Sequence, residues 1–274
     1  MDFSDQVSRL ARAHQLGAAL SADMQAWGVS TPYGVRANIA EDRLSWELRL
    51  QVSQSPPLAD WGFRFGEAVN HLRAALDNLI VAIARQSGVT DEKQVKGLMF
   101  PICGTLKEWK SRQKTLSCLP DWCREALEQV QPFQRSEHGG SLDKDLLLVL
   151  RDLDNTTKHH LQVKPDLAPQ SIRHAPTVTF ETEEGAAASM PPDAEVVVGP
   201  FVDGAVLLRY RAKGRIESIE GQYNIAAEVQ AVTPDGRPHG VTDLLAALWE
   251  YTRIVMGHVM GAAEQAGEGP EPSC

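Results

Sequence analysis

An amphipathic helix between Gly62 and Ala84 is the strongest structural signal in the sequence, and it is called the central helix below. Its apolar residues recur at steps of three and four, which places them on one helical face: Phe65, Val69, Leu72, Leu76, Leu79 and Ile83. An apolar face of about six turns is long enough to organise a core. We therefore predict that the remaining elements pack around this helix.

Three polar residues lie along one edge of that apolar face. Asn70, Arg73 and Asp77 follow one another at steps of three and four, so a helix stacks them in one column. We expect them to be partly buried, and partly buried polar groups need hydrogen-bonding partners. The column is either a structural network that fixes the helix against its neighbours or one wall of a binding site.

The composition of the 274-residue chain favours a soluble, cytoplasmic protein. Apolar residues make up 43% of it, and no apolar run reaches the roughly 20 residues of a membrane-spanning helix. The first residues lack the order of a secretory signal. The net charge of −9 argues against a surface made mainly for nucleic acid. The four cysteines show no C-x-x-C spacing, so we predict ordinary thiols, no metal site and no cofactor.

The order of the elements predicts an α+β fold rather than alternating α/β. From hydrophobic periodicity and turn residues we predict these segments: a helix over 3–27, a β-hairpin over 33–52, the central helix, helices over 106–114, 121–130 and 142–160, strands over 176–182, 194–201, 204–213 and 222–232, and a helix over 243–263. Between the strands over 176–182 and 194–201, residues 183–194 are predicted to form a flexible loop.

These segments are predicted to form one composite domain over residues 1–265. It has a helix-rich part over 1–165, a strand-rich part over 175–232 and the closing helix, followed by a disordered tail over 266–274. We expect one antiparallel sheet of about six strands packed with five or six helices, because a lone hairpin is only marginally stable. A split near residue 170 into a helical half and a strand-rich half is the alternative.

The helix over 142–160 carries a second concentrated polar set. Arg151, Asn155 and Lys158 lie at steps of four and three, and His159 lies one turn beyond Asn155. Cationic side chains at a helix end suit its negative dipole, and they also suit an anion. We predict a polar site between this helix and the central helix that binds a small anionic ligand or a partner, through these residues: Asn70, Arg73, Asp77, Asn155, Lys158 and His159.

Standard catalytic and nucleotide-binding motifs are absent from the sequence. It contains no G-x-x-x-x-G-K-[ST], no G-x-G-x-x-G, no G-x-S-x-G and no H-E-x-x-H. The commonest hydrolase and nucleotide-dependent classes are therefore not indicated, and whether the protein is an enzyme stays open.

Four strings follow one another in the order of a known pattern: GEAVNHLRAALDNLIVAIA over 66–84, FPI over 100–102, VQPFQ over 130–134 and LLVLRDLDNTTKHHL over 147–161. Together they resemble a family of uncharacterised bacterial proteins. In that family a pattern like G-D-x-x-H-N-L-R-x-A-L-D-H precedes F-P-I, L-Q-P-Y and L-x-x-L-D-x-x-D-K-H-R-x-L. The resemblance implies one domain in which both polar helices matter together, and it implies no particular activity.

The chain departs from this family pattern at polar positions. Asn70 and His71 reverse the H-N pair, and Asn78 stands where the pattern has the second histidine. Thr157 replaces the aspartate before Lys158, and His160 replaces the arginine. If the family has a chemistry, this member has changed the residues that would carry it.

A more distant resemblance is to HEPN-type helical domains, many of which are metal-independent ribonucleases. Their signature is an arginine, four to six residues and a histidine on one helix, usually acting across a dimer. By this resemblance His159 would be the acid or base on a ribose hydroxyl, and Arg151 or Arg73 would hold the phosphate of RNA. Seven residues separate Arg151 from His159, one more than in the signature, whereas six separate Arg64 from His71.

Two alternatives to a binding site therefore stay open at this point. One is a HEPN-like ribonuclease of a defence or toxin system, which would act as a homodimer. The other is a structural or interaction module without a ligand, dimeric through one of its helices.

Overall fold

The computed structural model describes residues 1–30, 33–137, 145–158, 165–197, 202–233 and 236–267. The chain divides into two compact units. Unit 1 comprises Met1–Ser21, Ala59–Pro165 and Ala231–Cys274, and unit 2 comprises Ala22–Leu58 and Asp166–Gln230. The single composite domain over 1–265 stays a prediction.

The α+β class predicted from the sequence is confirmed by the mixture of helices and antiparallel strands. In chain order the elements are α1 (Ser4–Val29), β1 (Tyr33–Ile39), β2 (Ser45–Val52), α2 (Leu58–Gln86), α3 (Glu92–Lys96), α4 (Leu106–Leu116), α5 (Asp121–Gln129), α6 (Pro132–Glu137), α7 (Leu146–Lys158), β3 (Pro165–Phe180), α8 (Glu183–Ala188), β4 (Asp193–Val196), β5 (Val206–Arg211), β6 (Ile216–Val232), β7 (Pro238–Gly240) and α9 (Val241–Gly267). Among the residues that the structure describes, no helix is both long and apolar enough to cross a membrane.

Unit 2 is built on a four-stranded antiparallel sheet in the order β1-β2-β5-β4. The alternation of β2 and β5 turns one side chain in two towards the core, where Trp46 pairs with Tyr210 and Leu48 with Leu208. The rings of Trp46 and Tyr210 stack with their centroids 4.1 Å apart. The predicted hairpin over 33–52 is therefore present, and its second strand pairs with a strand from much later in the chain.

The prediction of one sheet of about six strands is wrong, because β3 and β6 belong to a separate sheet. Val178, Phe180 and Ile219 of these strands pack against the apolar cluster of the four-stranded sheet, so the two sheets share a core instead of an edge. An alternating pattern gives each strand a buried face, but it does not identify the strand's neighbours.

The segment over 183–194, which we predicted as a flexible loop, contains the short helix α8. The Thr182 side chain begins it by accepting a hydrogen bond from the backbone N–H of Gly185.

Unit 1 contains the central helix as α2, which extends one turn beyond the predicted start. The six apolar residues of its predicted face are each 0 or 1% exposed, so the periodicity located the buried face correctly. Gln6 on α1 donates a hydrogen bond to the Asn78 carbonyl of α2. The indole N–H of Trp249 on α9 donates to the Leu10 carbonyl of α1, and α9 also packs against α5 and α7.

Gly185 and Gly214 bring two backbone segments of unit 2 together more closely than any side chain would permit. A Cβ atom added at Gly214 would lie 2.3 Å from the Gly185 Cα atom. The Ser189 hydroxyl joins the two segments, because it donates to the Gly185 carbonyl and accepts from the N–H groups of Lys213 and Gly214.

We expect Gly214→Ala to lower the free energy of unfolding by about 1–3 kcal/mol, the usual cost of overpacking a well-packed site. Gly34→Ala is the matched control in the same unit, because a Cβ atom there meets nothing within 4 Å. Both changes restrict the unfolded chain in the same way, so their difference reports the steric clash. Urea unfolding followed by circular dichroism measures it, and equal stabilities of the two variants would contradict the close approach.

Candidate functional site

A buried segment without helical or strand structure lies at the centre of the polar residues of unit 1. This segment, Leu98 to Cys103, is called the Phe100 segment, and Leu98, Phe100, Ile102 and Cys103 are each at most 8% exposed. Buried backbone N–H and C=O groups must be paired, and outside secondary structure they need partners other than a neighbouring strand or turn. At the two ends of the segment the partners are backbone groups, since the Leu98 N–H donates to the Val95 carbonyl and the Cys103 carbonyl accepts from the Phe133 N–H. Between these ends the partners are side chains.

Arg73 and Asp77 of α2 together hold the peptide groups on both sides of Phe100. The Phe100 N–H donates to Asp77 Oδ1 at 2.9 Å, and the Phe100 carbonyl accepts from Arg73 Nη2 at 2.8 Å. The same Nη2 atom lies 2.9 Å from Asp77 Oδ1. Arg73 thus supplies a donor and Asp77 an acceptor, as the backbone of a neighbouring β-strand would. This part of the predicted polar column therefore forms hydrogen bonds with the protein's own backbone.

Gln131 pairs the next part of the Phe100 segment in the same manner. Its side chain is completely buried, accepts from the Cys103 N–H at 2.9 Å, and donates to the carbonyls of Pro101 at 3.1 Å and Leu127 at 2.8 Å. Arg151 of α7 adds a longer hydrogen bond to the Ile102 carbonyl, at 3.4 Å. Side chains from three parts of unit 1 therefore fix the path of this segment.

A cavity of about 160 Å³ lies beside the Phe100 segment, and α2, α4 and α7 contribute to its wall. Its buried lining residues are Arg73, Phe100, Pro101, Ile102, Leu116 and Asp154. Its more exposed lining residues are Gly97, Met99, Arg112, Thr115, Arg151 and Asn155. The buried part of the lining is thus mainly apolar, and its two charged residues are Arg73 and Asp154. The more exposed part, which is called the mouth below, is mainly polar.

Three arginines from three different helices line this cavity. Arg73 on α2 is 6% exposed, and its Nη1 atom is buried without a hydrogen-bonding partner in the described part of the chain. Arg112 on α4 and Arg151 on α7 lie at the mouth. Arg151 pairs with Asp152 at 2.8 Å.

The pKa of the Cys103 thiol depends on charges from α4 and α7 as well as on burial. Burial raises the pKa of this thiol, as does the Glu108 carboxylate, while Arg112 and Arg151 both oppose that rise.

Asp154 brings a buried carboxylate to the cavity. It is 2% exposed, and it accepts a long hydrogen bond of 3.5 Å from the Asn70 side chain. The lining therefore carries both signs of charge. Within the described ranges, no group of three or more His, Cys, Asp or Glu side chains is arranged to hold a metal ion.

The predicted binding residues divide into three groups. Arg73 and Asn155 line the cavity, together with Arg151, and Asp77 lies behind Arg73. Asn70 was expected to be partly buried and is exposed. The reason is its helical position, which is about 140° from the centre of the apolar face, compared with about 80° for Arg73.

The third group, the side chain of Lys158 together with His159, lies outside the described residues. The ribonuclease hypothesis rests on His159 and so stays a prediction. The other spacing that resembles the signature joins Arg64 and His71 of α2, and Arg64 lies 3.7 Å from Asp60. His71 is half-buried, and its Nδ1 atom has no hydrogen-bonding partner in the described ranges.

From the sequence we did not predict Arg112, Gln131 or Asp154 as site residues. Asp154 had a usable signal, because it follows Leu150 by four residues and so falls within the apolar face of α7. Arg112 is one of several cationic residues on a mainly polar helix, and no periodicity distinguishes it.

No family model, curated protein or solved structure matches the chain at a significant level. The resemblance to the bacterial family and to HEPN-type domains therefore stays a prediction, and the site has to be interpreted from its own geometry.

We expect Asp77→Ala to lower the free energy of unfolding by about 1–3 kcal/mol, because it leaves the buried Phe100 N–H without its acceptor. The control is Asp60→Ala on the same helix, which removes an exposed ion pair with Arg64 and is expected to cost about 0.5 kcal/mol or less. Hydrogen exchange of the peptide containing Phe100 gives a local measurement, since only Asp77→Ala removes the protection of that amide. Unchanged protection in Asp77→Ala would contradict the pairing.

Proposed function

We propose that unit 1 binds a small anionic ligand in the cavity beside the Phe100 segment, with Arg73, Arg112 and Arg151 as its cationic groups. The observation that carries the proposal is the buried guanidinium of Arg73. One of its arms pairs the Phe100 carbonyl and Asp77, while Nη1 has no hydrogen-bonding partner within the described ranges. A buried charged donor without a partner is costly, so such an atom in a native structure calls for an acceptor.

The chemistry of the guanidinium group favours an anion with two acceptor oxygens. Arginine presents its donors as a planar fork that matches a carboxylate or a phosphate, and its charge does not titrate in the physiological range. Nη1 of Arg73 is shielded from solvent. In the proposed complex the ligand contacts Arg112 and Arg151 at the mouth, and a contact with Nη1 as well requires a side chain of the lining to move.

The volume of the cavity limits the ligand to a small molecule. A water molecule occupies about 30 Å³ of the liquid, so 160 Å³ accommodates a ligand of only a few non-hydrogen atoms. Pockets for drug-sized ligands are about 300–1,000 Å³. The size therefore favours a carboxylate or phosphate compound over a strand of RNA.

A larger groove of about 730 Å³ lies elsewhere in unit 1, between the start of α1 and the end of α2. Arg9, Arg12 and Arg85 line it beside Asp2 and Asp5. All five residues are exposed, and exposed charges interact weakly in water and salt. The smaller cavity is the better candidate because it contains buried charges.

We expect Arg112→Gln to weaken anion binding by about tenfold or more, since a hydrogen bond to a charged group contributes about 1.5–3 kcal/mol. Arg112 is the residue to change because it is exposed, whereas Arg73 also pairs the Phe100 backbone. Lys110→Gln is the matched control, because it removes one positive charge from the same helix at an exposed position outside the cavity lining.

The measurement is a thermal-shift and calorimetric titration with phosphate, sulfate, acetate and glycolate at constant ionic strength, which removes general salt effects. At least one anion is expected to stabilise the natural protein and the Lys110→Gln variant alike. A flat response to the whole panel, or equal binding by the Arg112→Gln variant, would overturn the proposal.

A further inference from the structure

We infer that the ligand of this cavity carries a phosphoryl group with at least three free oxygens, as inorganic phosphate or a small phosphate monoester does. This inference rests on the proposed function, and it names the class of ligand. It is carried by the number and the arrangement of the hydrogen-bond donors at the mouth. Two cationic and two neutral side chains supply these donors: Arg112, Arg151, Thr115 and Asn155.

The four side chains form two pairs, one on each of two helices. Arg112 and Thr115 lie three residues apart on α4, and Arg151 and Asn155 lie four residues apart on α7, so each pair shares one helical face. Each pair combines a guanidinium group with a neutral donor, which is a hydroxyl on α4 and an amide on α7. Because the pairs stand on separate helices, they approach the cavity from different directions.

Three of these four side chains are available to a ligand. Within the described residues, no hydrogen bond engages the side chain of Arg112, Thr115 or Asn155, and all three are exposed. Arg151 is partly engaged, since it pairs with Asp152 at 2.8 Å and makes the longer hydrogen bond to the Ile102 carbonyl. A ligand can therefore replace water at the mouth without breaking the hydrogen bonds that hold the Phe100 segment.

A carboxylate would use only part of this set of donors. Its two oxygens lie in one plane, and a single planar guanidinium fork engages both of them. Donors that approach from another direction meet no further oxygen. A phosphoryl group offers three strong acceptor oxygens in a tetrahedral arrangement, so it can accept from guanidinium groups on two helices and from a neutral donor at the same time.

The cavity also has the size of one phosphoryl group. A water molecule occupies about 30 Å³ of the liquid, so 160 Å³ corresponds to about five water-sized groups. That space accommodates one phosphorus atom with its oxygens. The substituent of a monoester would extend through the mouth, where the half-exposed Met99 offers it apolar surface.

Ligands that differ in their free oxygens test the inference on the natural protein. Methyl phosphate has three free oxygens and dimethyl phosphate has two, as in the backbone of a nucleic acid, whereas oxalate is a dianion built of planar carboxylates. The titrations are made at pH 8, where phosphate and methyl phosphate are mainly dianions, and at constant ionic strength. We expect both to bind at least tenfold more tightly than dimethyl phosphate, acetate and oxalate, as measured by calorimetry.

Thr115→Val tests the neutral donor on α4, because valine keeps the shape of threonine without its hydroxyl. Thr90→Val is the matched control, since it makes the same change at an exposed position outside the cavity lining. The preference for methyl phosphate over acetate is expected to fall about tenfold in Thr115→Val, as is usual when a hydrogen bond to a charged group is lost, and to persist in Thr90→Val. Asn155→Ala repeats the test on α7. Circular dichroism checks that each variant is folded, and the ligand comparison on the natural protein decides alone if one is not.

The outcomes separate this inference from the proposed function. If acetate or oxalate binds as tightly as methyl phosphate, the anion site stands and the phosphoryl ligand is rejected. If dimethyl phosphate binds as tightly as methyl phosphate, the third oxygen is not recognised and the inference is overturned. An unchanged preference in both folded Thr115→Val and folded Asn155→Ala also overturns it. If none of these ligands or the anions of the first panel binds, the proposed function fails and the inference fails with it.

Discussion

The backbone of the Phe100 segment is the constraint on which the polar architecture of unit 1 depends. This segment is mostly buried, yet it is neither helix nor strand, so the peptide groups between its two ends have no backbone partners from a helix or a sheet. Arg73, Asp77 and Gln131 supply those partners at distances of 2.8–3.1 Å. Each of these side chains is in turn held in one orientation by the peptide that it pairs. The segment and the polar residues around it therefore determine each other's positions.

This mutual support changes how the polar column of α2 is understood. From the sequence, a structural network and a binding site were separate alternatives. A guanidinium group has five N–H donors, and Arg73 uses Nη2 for the Phe100 carbonyl and Asp77. The donors on Nη1 are not needed for that pairing. One arm of Arg73 therefore supports the fold, and under the proposed function the other arm is the donor left for a ligand.

Much of unit 1 followed from local periodicity. The apolar face of α2 was predictable because six apolar residues share a 3.6-residue period. Arg73 and Asp77, four residues apart in the predicted column, form an ion pair within the helix. The same period explains why Asn70 is exposed, since it lies furthest from the apolar face of the three residues in the column. These properties depend on residues within a few turns of one helix.

The partners of the Phe100 segment were not predictable in this way. Arg73 meets a carbonyl 27 residues further along the chain, and Gln131 meets an N–H 28 residues before it. No periodic pattern connects positions in different elements. The prediction of a single sheet was wrong for the same reason. An alternating pattern gives β3 and β6 a buried face, but it does not specify the sheet to which they belong. Sequence patterns predicted the single elements, whereas the hydrogen bonds and strand neighbours that join different elements depend on tertiary contacts.

The position of Asp154 connects the fold to the chemistry of the cavity. Arg151 and Asp154 are three residues apart on α7, so one helical face carries both, with Cβ atoms about 5–6 Å apart. Arg151 is about one third exposed at the mouth and pairs with Asp152, while Asp154 is buried within the apolar face. A carboxylate in that position costs desolvation energy that a hydrophobic residue would avoid. Such a carboxylate is retained in a buried face only where polar groups pair it, and the Asn70 amide of α2 is one of these groups, at 3.5 Å.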